Sequence, residues 1–229
     1  MGQRELLTLM SAIMALMALG IDTMLPAFDE IRTTFNLGEA SPRAGQVITV
    51  FFMGLAIAQL AWGPIADRFG RKPVLYAGSA IYIAGAAGSA LAPTFELLLL
   101  SRFIWGIGAA GARVVATAII RDRFEGGQMA KAMSQVMAVF ILVPILAPTI
   151  GAGIIAILPW RAIFWFCAII AVVIMLWSIR MRESLNPANQ RPLQFRSTTK
   201  GYVEVARTPV TSGYTNATIF LQGVFTTYL

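Results

Sequence analysis

The chain has 229 residues, of which 57% are hydrophobic and only 13% are charged, and its mean hydropathy is +0.71. Soluble domains carry about a quarter charged residues, so this composition excludes a soluble globular domain. It equally excludes an intrinsically disordered chain. The single cysteine, Cys167, excludes a disulfide scaffold, and the lack of histidine excludes His-based metal sites and Ser-His-Asp triads. A polytopic, all-α membrane protein remains.

The apolar stretches predict the order of the elements, because a transmembrane helix needs about 20 mostly apolar residues. Six stretches meet this requirement, at residues 6–28, 46–66, 74–93, 95–120, 132–158 and 160–180. Residues 1–180 are therefore predicted to form an N-terminal six-helix transmembrane bundle. The polar stretch 181–209 is predicted to be an inter-bundle linker on the cytoplasmic side. The apolar stretch 210–229 predicts part of a seventh transmembrane helix.

The Lys and Arg residues predict the orientation of these spans, because cytoplasmic loops are enriched in them. With a cytoplasmic N-terminus, thirteen of the 18 cations lie on the cytoplasmic side. Only Arg32, Arg43 and Arg161 lie on the other side. The net charge of +7 follows from this bias together with attraction to anionic membrane lipid, so no nucleic-acid partner is expected.

Three ionisable residues lie well inside the predicted spans, where such groups are costly and normally face a cavity or a partner. Asp22 in the first span and Arg102 in the fourth are predicted about 9 and 10 Å from the same membrane face, at about 1.5 Å per residue. At this common depth the two groups can neutralise each other if their helices are neighbours. Arg113 shares a helix face with Arg102, about 16 Å further along, and is predicted to line a polar cavity. The alternative for both arginines is that they only tie helices together.

Asp22 is the only acidic residue well inside a span, since Glu96 and Asp122 fall at span ends. A carboxylate that is shielded from water binds a proton more readily, whereas an approaching guanidinium favours its ionised form. A change in the distance to Arg102 would then load or release a proton. Asp22 and Arg102 are therefore the predicted proton-coupling residues.

The predicted fifth span contains residues that disturb a helix, namely Pro144, Pro148, Gly151 and Gly153. Proline removes a backbone hydrogen bond, and glycine loosens a helix. These four residues predict a bent and tightly packed span. The bend could shape a permeation path or could be a static kink.

The loop between the second and third spans has the sequence Gly63-Pro64-Ile65-Ala66-Asp67-Arg68-Phe69-Gly70-Arg71-Lys72. Gly70 permits a tight turn, and Gly63 allows a close helix contact. This run matches every fixed position of G-x-x-x-D-R-x-G-R-[RK], the signature loop of the major facilitator superfamily, and therefore resembles that superfamily. The resemblance implies a gating loop, and it also implies that Arg71 pairs with Asp122.

Further segments resemble the drug/proton antiporters of that superfamily. Residues 22–26 are similar to their D-x-x-x-P stretch, and residues 102–108 to the R-x-x-x-G-x-G motif that is linked to proton transfer. Residues 147–152 resemble the antiporter motif G-P-x-x-G-G, with alanine in place of its first and last glycines. Residues 182–185 resemble the end of the family's sixth span. Residues 121–124 and 25–28 resemble the Bcr/CflA branch of bicyclomycin- and chloramphenicol-resistance transporters.

The resemblance implies a fold of two six-helix bundles joined by a cytoplasmic linker, with the substrate bound between the bundles. The chain covers the first bundle, the linker and the start of helix seven. It is expected to be a fragment of a twelve-helix protein or to need a second copy, and in relatives Gly63 and Asp67 contact a helix of the second bundle. The implied function is proton-coupled efflux of small apolar or cationic drugs, without a cofactor or metal. The implied location is the bacterial inner membrane.

Three alternatives remain open at this point. The first is a specific metabolite transporter of the same fold, which the Pro- and Gly-bearing fifth span disfavours. The second is an inactive truncated remnant. The third is an intramembrane enzyme, which would need paired acids, a metal set or an activated nucleophile that the chain does not supply, so no enzymatic activity is expected.

Overall fold

The computed structural model describes residues 1–38, 42–186, 188, 190, 201–204 and 207–227. Its helices are α1 Gln3–Asp22, α2 Phe28–Thr34, α3 Gln46–Phe69, α4 Arg71–Leu91, α5 Phe95–Arg123, α6 Gly126–Ile155, α7 Arg161–Ser178 and α8 Pro209–Thr227, with short 3₁₀ turns at Leu25–Ala27 and Pro42–Gly45. Within the described residues, six helical stretches are long and apolar enough to cross a membrane. The all-α fold with six spans is confirmed.

The first span differs from its prediction, because α1 ends at Asp22 rather than continuing to residue 28. Two turn residues and the 3₁₀ turn Leu25–Ala27 follow, and then α2 extends the span to Thr34. Pro26 explains the interruption, since it lacks a backbone N–H and disfavours the α conformation in the residue before it. Asp22 therefore lies at a helix terminus in the interior of the span, a place that we call the α1 break (Asp22 to Ala27).

Helix α5 is the central packing element and contacts α3 and α4 along much of its length. The close approach depends on glycine: a Cβ atom on Gly106 would overlap the carbonyl oxygen of Phe51, and one on Gly54 would overlap that of Phe103. Small residues allow helices to pack at this distance inside a membrane. The other side of the bundle is formed by α1, which packs against α6 and α7.

The chain divides into two compact units, residues 1–190 and 191–229. The first unit holds the six spans. The second holds α8, which forms the helix predicted over 210–229 except at residues 228–229, which lie outside the described residues. Among the described residues α8 is not one of the stretches apolar enough to count as a span, because Ser, Thr and Asn interrupt its apolar residues. Much of the predicted linker, at 187, 189, 191–200 and 205–206, also lies outside the described residues.

Candidate functional site

Asp22 is the last residue of α1, and only 7% of its surface is exposed. The next residue, Thr23, is completely buried and donates a hydrogen bond from its hydroxyl back to the carbonyl oxygen of Leu19. In the part of the chain that the structure describes, no side chain forms a hydrogen bond or ion pair with the Asp22 carboxylate. The Asp22 carboxylate is therefore shielded from water, and none of the described side chains binds it.

Arg102 is fully buried, and its guanidinium reaches the end of α1 two residues before Asp22. Its Nη1 donates to the carbonyl oxygen of Gly20 over 2.8 Å, and its Nε donates to that of Val47 over 3.2 Å. The two side chains form no ion pair among the described residues, so the neutralisation that the sequence left possible is not seen in this conformation, and the equal depth stays a prediction. The reason lies in the α1 break, since the last carbonyl groups of a helix have no intrahelical donor and attract a cation.

Aromatic rings complete the surroundings of the Arg102 guanidinium. Its Cζ lies 4.8 Å from the ring centre of Phe51, 4.7 Å from Trp105 and 5.7 Å from Phe164. Such rings attract a cation through their negative faces. Arg102 Nη2 is a buried donor that finds no acceptor among the described residues. The guanidinium of Arg102 thus has no carboxylate partner among the described residues, and its Nη2 group could still donate a hydrogen bond.

Other side chains bind the carbonyl groups of α1, and no sequence motif indicated them. The Tyr82 hydroxyl on α4 donates to the carbonyl oxygen of Leu16 over 2.7 Å. Cys167 Sγ on α7 lies 3.6 Å from the Thr23 hydroxyl and 3.9 Å from the carbonyl oxygen of Leu19. With Arg102, three helices therefore hold the end of α1, and they fix the position from which Asp22 projects.

The predicted antiporter helix, α6, meets the α1 break at Gly151. A Cβ atom there would overlap the carbonyl oxygen of Thr23, so the two backbones touch at the residue after Asp22. Gly153 behaves differently from its prediction, because a Cβ atom at this exposed position would meet nothing within 4 Å. Pro144 and Pro148 lie half-buried inside a continuous helix. Tight packing is thus confirmed for Gly151 and wrong for Gly153.

The loop motif forms a charge network at the end of the bundle that carries the α3–α4 turn, which we call the motif end. Arg71 Nη1 lies 2.6 Å from Asp67 Oδ1, and Arg71 Nε lies 3.0 Å from Asp122 Oδ2. The pairing of Arg71 with Asp122 is confirmed. Ser184 Oγ also donates to Asp122 Oδ2 over 3.0 Å, so α3, α4, α5 and the segment after α7 meet at this guanidinium.

Glu183 is a second anchor of the motif end. Its carboxylate accepts backbone N–H groups from Arg71 and Lys72, in the first turn of α4, and from Ser184 and Leu185. Partial burial raises the pKa of Glu183, but these four donors outweigh burial and bring the pKa below its ordinary value. Sequence reasoning noted this residue only within a family-like segment. A carboxylate preference at helix N-termini was the available signal.

The remaining residues of the motif divide between turn, surface and cavity. Gly70 has φ +99°, which confirms the tight turn, and a Cβ atom there would also lie 2.8 Å from Glu183 Oε2. Lys72 Nζ donates to the carbonyl oxygen of Ile179 over 2.9 Å, and Arg68 is exposed. The Cβ position of Gly63 is open among the described residues, and Gly63 lines a cavity, so the close helix contact expected for it stays a prediction.

That cavity has a volume of about 410 Å³ and opens between α3 and α5 at the motif end. It is lined by Gln59, Gly63, Asp67, Arg71, Arg113, Val114, Thr117, Ala118, Arg121 and Asp122. Arg113 therefore lies where the sequence predicted it, in the wall of a polar cavity. Among the described residues, no group of three or more His, Cys, Asp and Glu side chains could hold a metal ion.

Comparisons with known proteins agree with this architecture. The multidrug resistance protein MdtL of Escherichia coli O81 (strain ED1a) is 36% identical over 177 residues, and that of Shigella dysenteriae serotype 1 (strain Sd197) is 35% identical over 177 residues. Each match covers 77% of this chain and 45% of the relative, so the chain spans about half the length of these curated relatives.

Two solved structures share the fold. The structure of the human organic anion transporter MFSD10 superimposes with a TM-score of 0.67 at 22% sequence identity. The match covers 90% of this chain and 57% of the MFSD10 chain. The structure of the proton:xylose symporter XylE superimposes with a TM-score of 0.71 at 18% sequence identity. This match covers 79% of this chain and 45% of the XylE chain. A sequence profile of the Major Facilitator Superfamily matches residues 10–229. This six-span membrane protein therefore belongs to the Major Facilitator Superfamily.

Proposed function

We propose that the chain is part of a proton-coupled multidrug efflux transporter, which exchanges protons for small apolar or cationic drugs by alternating access. The likeness to relatives that are named multidrug resistance proteins supports the substrate class. The transporter would use membrane lipid, drug and protons as its partners. It would be completed by a second bundle, either the C-terminal half of a twelve-helix protein or a second copy.

The observation that carries the proposal is the buried carboxylate of Asp22 at the α1 break, for which the described part of the chain supplies no hydrogen-bond or ion-pair partner. A buried carboxylate without a donor or cation binds a proton more readily than one in water. Arg102 would set the position of the Asp22 carboxylate without forming an ion pair with it. It holds the carbonyl oxygen of Gly20, two residues earlier, so a shift of α5 would move Asp22 between a dry and a wet environment.

Contact of Gly151 with the Thr23 carbonyl group supports a link between the proton site and α6. Packed interfaces of this kind shift between discrete arrangements rather than deforming continuously. Movement of α6 would therefore shift the backbone beside Asp22. In this proposal the motif end, with Arg71 between Asp67 and Asp122, is the cytoplasmic gate, and the N-terminus faces the cytoplasm of a bacterial inner membrane, in line with the distribution of Lys and Arg.

The test is drug transport in proteoliposomes that contain the protein and carry an imposed pH gradient, with ethidium as the probe. In Asp22→Asn, transport driven by the pH gradient is expected to fall to background, because the amide cannot carry the proton. Ethidium binding without a gradient is expected to remain, since Asp22 is not required for the apolar contacts.

Asp29→Asn is the matched control, because Asp29 is an exposed acid seven residues away that pairs with Arg32. It is expected to transport at the wild-type rate. Gradient-dependent transport that persists in Asp22→Asn would refute the coupling role.

A further inference from the structure

The cavity at the motif end contains more positive than negative charge once its ion pairs are assigned. Its two acids, Asp67 and Asp122, both bind Arg71. Arg113 and Arg121 line the same cavity, and no carboxylate lies within ion-pair distance of either one among the described residues. The cavity wall therefore presents cationic groups to whatever enters it.

Arg113 is the more informative of the two, because it lies deep in the span. It is ten residues, or about 15 Å, from the end of α5 at Arg123. Its described contacts are weak: Nη1 lies 3.6 Å from the sulfur of Met17, and Cζ lies 5.9 Å from the ring centre of Phe140. A guanidinium at this depth is costly unless it has a function or a partner.

Facing residues give the cavity a mixed polar and apolar lining. On α5, Arg113, Thr117 and Arg121 follow each other at intervals of four, and on α3 so do Gln59 and Asp67 with Gly63 between them. Residues at this spacing share one helix face. Val114 and Ala118 add apolar surface to the wall beside Arg113. A volume of about 410 Å³ falls within the range of small-molecule pockets.

We propose that this cavity binds a small organic anion, whose carboxylate or phosphate group is held by Arg113 and whose apolar body packs beside Val114 and Ala118. The planar guanidinium fork matches both of these anionic groups in a bidentate way. Attraction is stronger in a site shielded from water than at a surface.

The role of this site in substrate loading rests on the proposed export function. With this site, the transporter would accept organic anions in addition to apolar or cationic drugs. Binding itself does not depend on transport. It is measured at equilibrium without a gradient, so a failed binding test would leave the coupling role of Asp22 standing. A failed coupling test would likewise leave the anion site standing.

The experiment measures binding of three naphthalene probes of similar size, 2-naphthoate, 2-naphthamide and 2-naphthylmethylammonium, by calorimetry on the purified chain in nanodiscs of zwitterionic lipid. The anion is expected to bind about tenfold or more tightly than the neutral amide, the effect of one hydrogen-bonded ion contact, and the cation is expected to bind most weakly. In Arg113→Gln the preference for the anion is expected to disappear. Equal binding of all three probes by the wild-type chain would overturn the proposal.

Arg123→Gln is the matched control, since Arg123 is an exposed cation on the same helix that does not line the cavity. It should keep the full preference. If Arg113→Gln does not fold, Arg113→Lys is compared with Arg123→Lys, and only the former should lose part of the preference because it loses the guanidinium fork. An undiminished preference in Arg113→Gln, or equal preferences in the two lysine variants, would remove Arg113 from the site.

Lipid phosphate and a dissolved organic anion share this chemistry, and a second set of nanodiscs separates them. Phosphatidylglycerol is added to the zwitterionic lipid, and the naphthoate titration is repeated. Unchanged affinity assigns the site to dissolved anions. An Arg113-dependent loss of affinity assigns it to the phosphate of a lipid headgroup and overturns the role in substrate loading.

Discussion

Two arginines, Arg71 at the motif end and Arg102 beside the α1 break, hold the helices of the bundle together in opposite ways. Arg71 is bound by two carboxylates, Asp67 and Asp122, which keep 42% and 21% of their side chains exposed. Arg102 is completely buried. It is bound by two backbone carbonyl groups and three aromatic rings, with no acid among its described partners.

The difference shows how depth decides what can balance a charge. Near water, ion pairs are cheap to form and contribute little individually. Deep in the bundle, ion pairs carry a large desolvation cost. The backbone carbonyl groups of Gly20 near the end of α1 and of Val47 on α3 supply acceptors without adding a second charge. The carbonyl groups of Gly20 and Val47, and not Asp22, accept the hydrogen bonds of Arg102 in this structure, so the Asp22 carboxylate forms no ion pair among the described residues.

The largest expected effect comes from removing each arginine in turn. Arg102→Met is expected to lower the free energy of unfolding by about 2–4 kcal/mol, because it strips buried carbonyl groups of charge-assisted hydrogen bonds. Arg71→Met is expected to cost only about 1 kcal/mol, since water can reach Asp67 and Asp122. Chemical unfolding in mixed micelles measures both. A larger loss for Arg71→Met would reverse the comparison.

An intermediate effect is expected at the glycines of the two regions. Gly151→Ala is expected to cost about 1–3 kcal/mol, because its Cβ atom collides with the carbonyl oxygen of Thr23. Gly63→Ala and Gly153→Ala, whose Cβ positions are open, are expected to be neutral or to stabilise by up to about 1 kcal/mol through helix propensity. The same unfolding measurement compares all three. Similar values for Gly151 and Gly153 would show that α6 does not touch the α1 break.

The smallest effect concerns the pH dependence of the motif end. The fold favours the ionised form of Glu183, whose pKa lies below the ordinary 4.5, so its stabilising contribution is complete above pH 4.5. That contribution is lost as the pH falls through the lower pKa of the folded state. Glu183→Gln is expected to cost about 1 kcal/mol at pH 7, with the difference from wild type shrinking below pH 4.5.

Glu125→Gln serves as the control for that titration, because Glu125 is exposed and makes no side-chain cap on α6. Its stability should follow that of the wild type at every pH. A Glu183→Gln variant whose loss of stability is the same at pH 3.5 and pH 7 would contradict the role of the carboxylate.

The predictability of these two regions differed for a physical reason. Asp67 and Arg71 lie only four residues apart, on either side of the Gly70 turn, so the two side chains are close along the chain, although no sequence prediction named this pair. The family resemblance added Asp122. The partners of Arg102 could not be read in this way, because backbone carbonyl groups carry no sequence signal. Tyr82, Cys167 and Glu183 were missed for a related reason, since each binds backbone atoms of a distant element.

Membrane insertion, the number of spans and the tight turn at Gly70 were determined by the sequence itself, because hydropathy, span length and backbone freedom are local properties. The tertiary structure alone decided that the Gly20 carbonyl group, near the end of α1, binds Arg102. It also decided that Gly63 faces a cavity while Gly151 touches Thr23. These contacts depend on how each helix is rotated about its axis and at what angle the helices cross. Depth in the membrane, which the sequence does predict, determines neither the rotation nor the crossing angle.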